Sequence, residues 1–296
     1  MTVRILLWLS VILLACQGPA PDPFKDDGPT GGDVLILADE DFRSILEEER
    51  TVFEHVYPNA HIRFRFLPQK DLQQALMNDS VRVVFTTCAP GGEQQAYFRT
   101  RNLSTTMVPV LVDGIAVFKA PGMACADISV QEVVSRASDS SGSGLRFDGM
   151  GTGVVRSLVD SLFAGDASKL KNVAALAGTD SLLASIARDP EAIGMISFAR
   201  ISDLDDPQCR ALRERMGLCA VSAQQGDSAL IPSQSTLADG SYPLRRKLYA
   251  LAMEGKSGLG TGFVSFVAGH KGQRIILKSG LAPQQVPARD VMIINQ

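Results

Sequence analysis

Asp33-Val34-Leu35-Ile36-Leu37, then Ile62-Arg63-Phe64-Arg65-Phe66, then Val81-Arg82-Val83-Val84-Phe85: these three short runs decide the fold class of the chain. Residues 34–37 read as a buried strand. Phe42, Ile45, Leu46, Val52, Phe53 and Val56 then fall at helical spacing, and Tyr57-Pro58-Asn59 stops that helix. Ile62, Phe64 and Phe66 alternate with Arg63 and Arg65, which is a strand signal. Leu72, Ala75 and Leu76 mark a short helix, and residues 81–85 are the next strand. This β-α-β-α-β order implies an α/β fold with a parallel sheet and right-handed crossovers.

Working outward, a second set follows. Residues 108–118 hold two apolar runs split at Asp113-Gly114, which marks a crossing into a second lobe. Ser129 with Glu132 predicts a capping box opening a helix through Val133 and Val134. Residues 145–147 read as a strand. Val154, Val155, Leu158, Val159 and Leu162 line a helix, and Thr179 caps another through Leu182, Leu183 and Ile186. Residues 193–196 form a strand, and residues 219–221 the last strand of this lobe. Residues 224–235 return to the first lobe. There residues 248–253 are a strand, helices follow around 263–267 and 273–277, and residues 291–294 close the chain.

The 296 residues, 45% hydrophobic and 21% charged, suffice for a large core or two lobes. A net charge of −3 gives no support to nucleic-acid binding, so an anion site has to be local. Residues 1–15 read as a signal peptide: Arg4, then an apolar run too short to span a bilayer. Leu13-Leu14-Ala15-Cys16 matches a lipoprotein box, with Cys16 as the lipidated residue; cleavage by an ordinary signal peptidase is the alternative. Residues 16–32, rich in Pro, Gly and Asp, then serve as a tether. Cys88, Cys125, Cys209 and Cys219 either pair, Cys209 with Cys219 being nearest in sequence, or stay reduced. No Cys/His spacing calls for a metal, and no cofactor is implied.

Ligands of open α/β sheets sit beyond the carboxyl ends of strands. Three loops qualify. The first holds Asp39-Glu40-Asp41. The second is Thr86-Thr87-Cys88. The third is Gly149-Met150-Gly151-Thr152-Gly153, ahead of the helix with Arg156. Gly151 and Gly153 let backbone N–H groups approach an anion, and the helix start adds roughly half a positive charge. Thr152 offers a hydroxyl and Arg156 a fork of donors. The competing reading is a tight turn with Arg156 on the surface.

One further tract carries a resemblance. Asp239-Gly240-Ser241-Tyr242-Pro243-Leu244-Arg245-Arg246, Gly258-Leu259-Gly260-Thr261-Gly262-Phe263, Gly272-Gln273-Arg274-Ile275-Ile276 and Gly280-Leu281-Ala282-Pro283 stand in one fixed order. With Tyr57-Pro58-Asn59-Ala60, Val112-Asp113-Gly114-Ile115-Ala116 and Ala192-Ile193-Gly194-Met195-Ile196, this order resembles the phosphate-binding proteins of ABC-type phosphate transporters, lipoprotein members included. The resemblance runs from about Val34 to Ile294. It implies a two-lobed type II periplasmic-binding-protein fold, each lobe a mostly parallel sheet flanked by helices. Residues 33–117 with 225–296 would make lobe 1, and 118–224 lobe 2. It further implies phosphate or a similar oxyanion as ligand, an ABC permease as partner, a monomer, and a lipid anchor on the periplasmic side of the cell envelope.

The ligand loops depart from the family pattern. Relatives have Ser or Thr where this chain has Asp41. Thr87 matches their hydroxyl residue, but Cys88 replaces an arginine. Gly151 and Thr152 fit the third loop, whereas Gly153 and Val154 remove hydroxyls. A close like-charge pair costs about 4 kcal/mol at an effective dielectric of 20, so Asp41 weakens binding of a dianion. Either Asp41 accepts a hydrogen bond from a protonated ligand oxygen, or it points to solvent or caps the helix at Phe42. The expected ligand set is therefore Asp41, Thr86, Thr87, Gly151, Thr152, Gly153 and Arg156. A diverged lipoprotein with another ligand, or an interaction role in the envelope, is the alternative. No Ser/His/Asp order, HExxH or P-loop points to an enzyme.

Overall fold

The computed structural model describes residues 28–78, 81–123, 125–139, 143–253 and 257–286; the leader with Cys16 and the expected strand at 291–294 lie outside them. The chain opens as β1 (Gly32–Asp39), α1 (Arg43–Val56), β2 (Ala60–Leu67), α2 (Gln69–Ala75), β3 (Val83–Thr86) and α3 (Gly92–Thr100). β1 lies between β2 and β3 and is parallel to both, as the alternating pattern predicts. Val34, Ile36 and Ala38 face one side of this sheet and Leu37 the other, where it packs with Leu72 and Phe98. Both faces are thus covered from Ile36 to Ala38, where β1 is an unbroken apolar run, while Leu35 stays exposed. Phe53 of α1 and Phe263 meet edge-to-face, centroids 5.3 Å apart. Burying each of these rings contributes roughly 1.5–3 kcal/mol.

β4 (Thr106–Lys119) is one continuous strand of 14 residues, not two runs divided at Asp113-Gly114. Both of its halves pair, so nothing compels a break. Residues 106–114 pair antiparallel with residues 245–252, and residues 115–118 antiparallel with residues 194–197. Beyond it come β5 (Ile128–Ser129), α4 (Val130–Ser138), β6 (Leu145–Phe147), α5 (Gly153–Leu162), β7 (Val173–Ala175), α6 (Thr179–Arg188) and β8 (Ile193–Ser197). Then follow α7 (Pro207–Glu214), β9 (Gly217–Leu218), β10 (Val221–Ser222), α8 (Gln234–Ala238), β11 (Arg245–Ala252), α9 (Leu259–Ala268), α10 (His270–Lys278) and β12 (Ala282–Pro283). The strand order is β2-β1-β3-β11-β4-β8-β6-β7. The fold is therefore a two-lobed α/β architecture, with β4 shared by the two halves.

Local chemistry explains the ends of elements. Ser129 caps α4 by accepting from Glu132 N at 3.1 Å, while the Glu132 carboxylate accepts from Arg136. Thr179 is not the cap of α6. Gly178, at φ 88°, holds that position, and the Thr179 hydroxyl donates to Asp148 instead. In the C-terminal tract, Tyr242 is fully buried and its hydroxyl donates to Ile115 O at 2.6 Å. Gln273 ties α10 to β4 by donating to Val110 O at 3.0 Å. The cysteines also differ from expectation. Cys219 bonds Cys125, Cα atoms 5.3 Å apart, whereas Cys209 lies on α7 with its thiol on Asp206. Neighbours in sequence are separated here because α7 leads away from β4 and residue 219 returns to it, donating its N–H to Val117 O.

Candidate ligand site between the lobes

Four strand ends meet at the cleft. The end of β1 supplies Asp39, and the 3-10 turn that follows (Glu40–Phe42) supplies Asp41. Asp39 caps that turn by accepting from Asp41 N at 3.1 Å. β11 supplies Arg246, which stands in the inward phase of an alternating strand. Its Nε donates to Asp113 Oδ2 at 2.8 Å and its Nη2 to Asp41 Oδ2 at 2.9 Å. Asp113, at the midpoint of β4, also accepts from Ser197 Oγ (2.8 Å) and Ala199 N (2.9 Å) of the other half. One aspartate therefore binds an arginine of the first lobe and two donors of the second.

The second lobe contributes the start of α5. A Cβ at Gly153 would overlap Asp39 Oδ2 and lie 2.8 Å from Arg246 Nη1 and 3.0 Å from Thr87 Oγ1. Only glycine admits so close an approach. Asp39 Oδ2 and Arg246 Nη1 are buried and have no hydrogen-bond partner. Two unpaired polar atoms thus converge on one helix N-terminus, where such groups are costly unless a ligand or water meets them. A backbone bond clasps the lobes nearby: Lys70 N donates to Gly151 O at 3.0 Å.

Charge in this cleft is unbalanced. Burial lifts the Asp39 carboxyl to about 8, with repulsion from Asp41 adding to it and Arg246 opposing it. The protonated form of Asp39 is therefore favoured. Burial alone would lower the Arg246 pKa, but Asp113, Asp41 and Asp39 together carry it upward, so the guanidinium stays charged. Burial also raises Asp113 against the pull of Arg246 and Ser197. Three donors on its two oxygens suit an ionised carboxylate. At the cleft mouth Asp148, buried and close to Asp41, is paired with Arg200.

Of the residues expected from sequence, Asp41, Thr86, Thr87 and Gly153 come together around Arg246 and Gln69. Gln69 Nε2 donates to Thr86 Oγ1 at 2.8 Å, and its Oε1 accepts from Thr87 Oγ1 at 3.2 Å. Asp41 neither faces solvent nor caps the helix, because it is buried against Arg246. Thr152 is the N-cap residue of α5, but its hydroxyl donates to Gly149 O within its own loop. Gly151 packs against Pro68 and Lys70. Arg156 is more than half exposed and pairs with Asp160 at 2.8 Å, and it also interacts with the Cys88 thiol that follows Thr87. Cys88 is buried and its thiol is pushed up to about 11 by burial, so it supplies no charge in place of an arginine. Asp39 belongs to the first candidate loop but not to the expected ligand set, and Gln69, Asp113, Ser197 and Arg246 carry no ligand role in the sequence reading. Arg246 had a signal: it shares the alternating phase of Leu244, Leu248 and Ala250, and a charge in the apolar phase of a strand needs a buried partner.

The family model described as a PBP superfamily domain matches residues 25–271. The chain belongs to that superfamily. No curated protein matches it in sequence. Among solved structures, a phosphate ABC transporter substrate-binding protein with bound phosphate from Clostridium perfringens aligns with TM-score 0.68 and 16% identity, over 86% of this chain and 100% of its own. An ABC-type phosphate transport receptor from Vibrio cholerae aligns with TM-score 0.63 and 11% identity, over 85% and 99%. The CcmR regulatory domain of Synechocystis PCC6803, in complex with 2-PG, aligns with TM-score 0.53 and 12% identity, over 80% and 95%. At such identities the likeness establishes the superfamily's two-lobed fold, and a regulator within the set cautions against reading function from fold.

Proposed function

We propose that this is a solute-binding protein of an ABC-type transporter that closes its two lobes on phosphate or a similar small oxyanion. One observation carries the reading: Arg246 Nη1, buried and unpartnered in the first lobe, meets the N-terminus of α5 from the second. An oxyanion between them would accept from the guanidinium, from the first amides of α5 and from the Thr87 hydroxyl. Asp39, neutral below about pH 8, offers a proton to the ligand rather than a repelling charge. In the closed form Asp39 Oδ2 lies in the space beside Gly153, so the lobes part and Asp39 turns aside before the ligand enters. The phosphate bound to the Clostridium protein and the phosphate transport receptor from Vibrio support the ligand class. Among the described residues no helix is long and apolar enough to cross a membrane. Lipidation at Cys16, a place on the periplasmic side of the envelope, delivery to a permease, a monomeric state and the absence of turnover complete the reading.

Calorimetry of the full chain with inorganic phosphate at pH 6.5 tests it. Saturable heat, displaced by arsenate and lost in Arg246→Gln, is expected. No heat at millimolar phosphate refutes it.

A second reading is favoured by the charge count, because even with Asp39 protonated two carboxylates, Asp41 and Asp113, already share a single guanidinium. On that reading the fold has diverged to another ligand or to an interaction role in the envelope. Its mark would be phosphate binding that appears only in an Asp39→Ser/Asp41→Ser double variant.

A further inference from the structure

Beside the cluster lies a cavity of about 380 Å³ with walls from both lobes. α2 provides Gln69 and Gln73 on one side. Val155 and Val159 of α5, with Met150 and Leu170, make the other side mainly apolar, with Arg156 of α5 also in its lining. Inorganic phosphate has no use for such a space, since it is a small ion surrounded by donors. Cavities of a few hundred Å³ with mainly apolar walls take organic groups.

The cavity and the anion cluster share a wall. Gln69 and Thr152 line the cavity. The same Gln69 holds Thr86 and Thr87 of the cluster, and Thr152 immediately precedes Gly153. The hydrogen bonds of these two side chains stay within their own lobes: Gln69 to Thr86 and Thr87, Thr152 to Gly149. The bond that joins the two walls is Lys70 N to Gly151 O. When the lobes part, this bond breaks and the cavity and cluster become one continuous cleft. A ligand then seats its anionic head at Gly153 and lays its remainder between α2 and α5 as the lobes close.

We propose that the ligand is an organic phosphonate or phosphate monoester whose apolar arm fills the cavity between α2 and α5. This rests on the oxyanion reading above and narrows it from an inorganic ion to a substituted one. The arm contacts Val155 and Val159 from one lobe and the α2 glutamines from the other, so it favours closure as well as affinity.

The test compares inorganic phosphate, methylphosphonate and n-butylphosphonate by calorimetry on the full chain. Each methylene buried is worth about 0.8 kcal/mol, so affinity is expected to rise roughly fourfold per carbon and on the order of 60-fold from methyl to butyl. Ala167 is exposed at the rim of the cavity, and Ala167→Trp fills it from outside without disturbing the core. That variant should bring butylphosphonate back to the methylphosphonate level and leave phosphate unchanged. If phosphate binds as tightly as butylphosphonate, or Ala167→Trp leaves the gain intact, the arm proposal is overturned and the oxyanion reading stands. If none of the three ligands binds, both fall.

Discussion

Removing the cleft arginine is the most demanding perturbation the structure offers. Arg246→Met keeps most of the volume and deletes the charge. Arg246 binds Asp113 at 2.8 Å and Asp41 at 2.9 Å, and the three side chains are 0–3% exposed. At an effective dielectric of 20 each such pair is worth about 4 kcal/mol gross, most of which offsets the cost of desolvating the ions. The variant keeps that cost and loses the compensation, so the two carboxylates must take up protons to remain inside. A loss of about 3–5 kcal/mol at pH 7 is expected, as for other broken buried pairs. In a chain of this size that is a fall in melting temperature of roughly 6–20 °C. In the variant both aspartates would have raised folded pKa values, so its deficit should shrink as pH drops toward 4. Urea unfolding followed by far-UV circular dichroism at pH 4.5 and 7.5 measures both effects. A variant within 1 kcal/mol of the parent at pH 7.5, or one whose deficit is independent of pH, refutes the account of Arg246 as the charge that holds Asp41 and Asp113 in place.

Four other outcomes follow from single features. The folded pKa of Asp39, about 8, exceeds its unfolded value near 3.9, so its contribution is full in acid and is lost as pH rises toward 8. Stability curves between pH 5 and 8 should carry a downward slope of up to about 1.4 kcal/mol per pH unit from this group, and Asp39→Asn should remove that share. Glu49, buried with both oxygens unpartnered and lifted to about 9 by burial, gives a slope of the same sign, so Glu49→Gln should stabilise the protein at pH 9 in urea melts. The Cys125–Cys219 disulfide spans 94 residues, and Cys125→Ser/Cys219→Ser should cost about 2–5 kcal/mol, whereas changing Cys209 to Ser should cost far less. Tyr242→Phe leaves the Ile115 carbonyl buried without its donor, a loss of about 1–3 kcal/mol readable in the same denaturation assay.

The lobes were legible in the sequence because their signals are local. Alternation in residues 62–66 and helical spacing from Phe42 to Val56 depend only on which side chains are apolar. The site was less legible because its members lie far apart in the chain. Asp39, Asp113, Ser197 and Arg246 become neighbours only when β1, β4, β8 and β11 are assembled. The loops after the strands drew attention to Thr87 and Gly153, which do reach the cleft, and to Arg156, which pairs with Asp160 on its own helix. In the sequence Asp113-Gly114 divides the apolar residues of β4 into two runs, yet Gly114 pairs with Arg245 and Asp113 with Arg246, so the strand continues through them. Which cysteines pair stays open in the sequence because spacing along the chain says nothing about which strand a cysteine returns to.

The unbroken β4 also governs how this protein can be taken apart. A strand whose two ends pair with different halves of one sheet cannot be assigned to either half of a divided gene. Cutting within residues 106–119 would leave each fragment with a raw, hydrogen-bond-hungry edge and half of the Asp113 junction. Neither lobe is therefore a portable module, and the smallest piece that can be inherited, fused or expressed with its fold intact includes both.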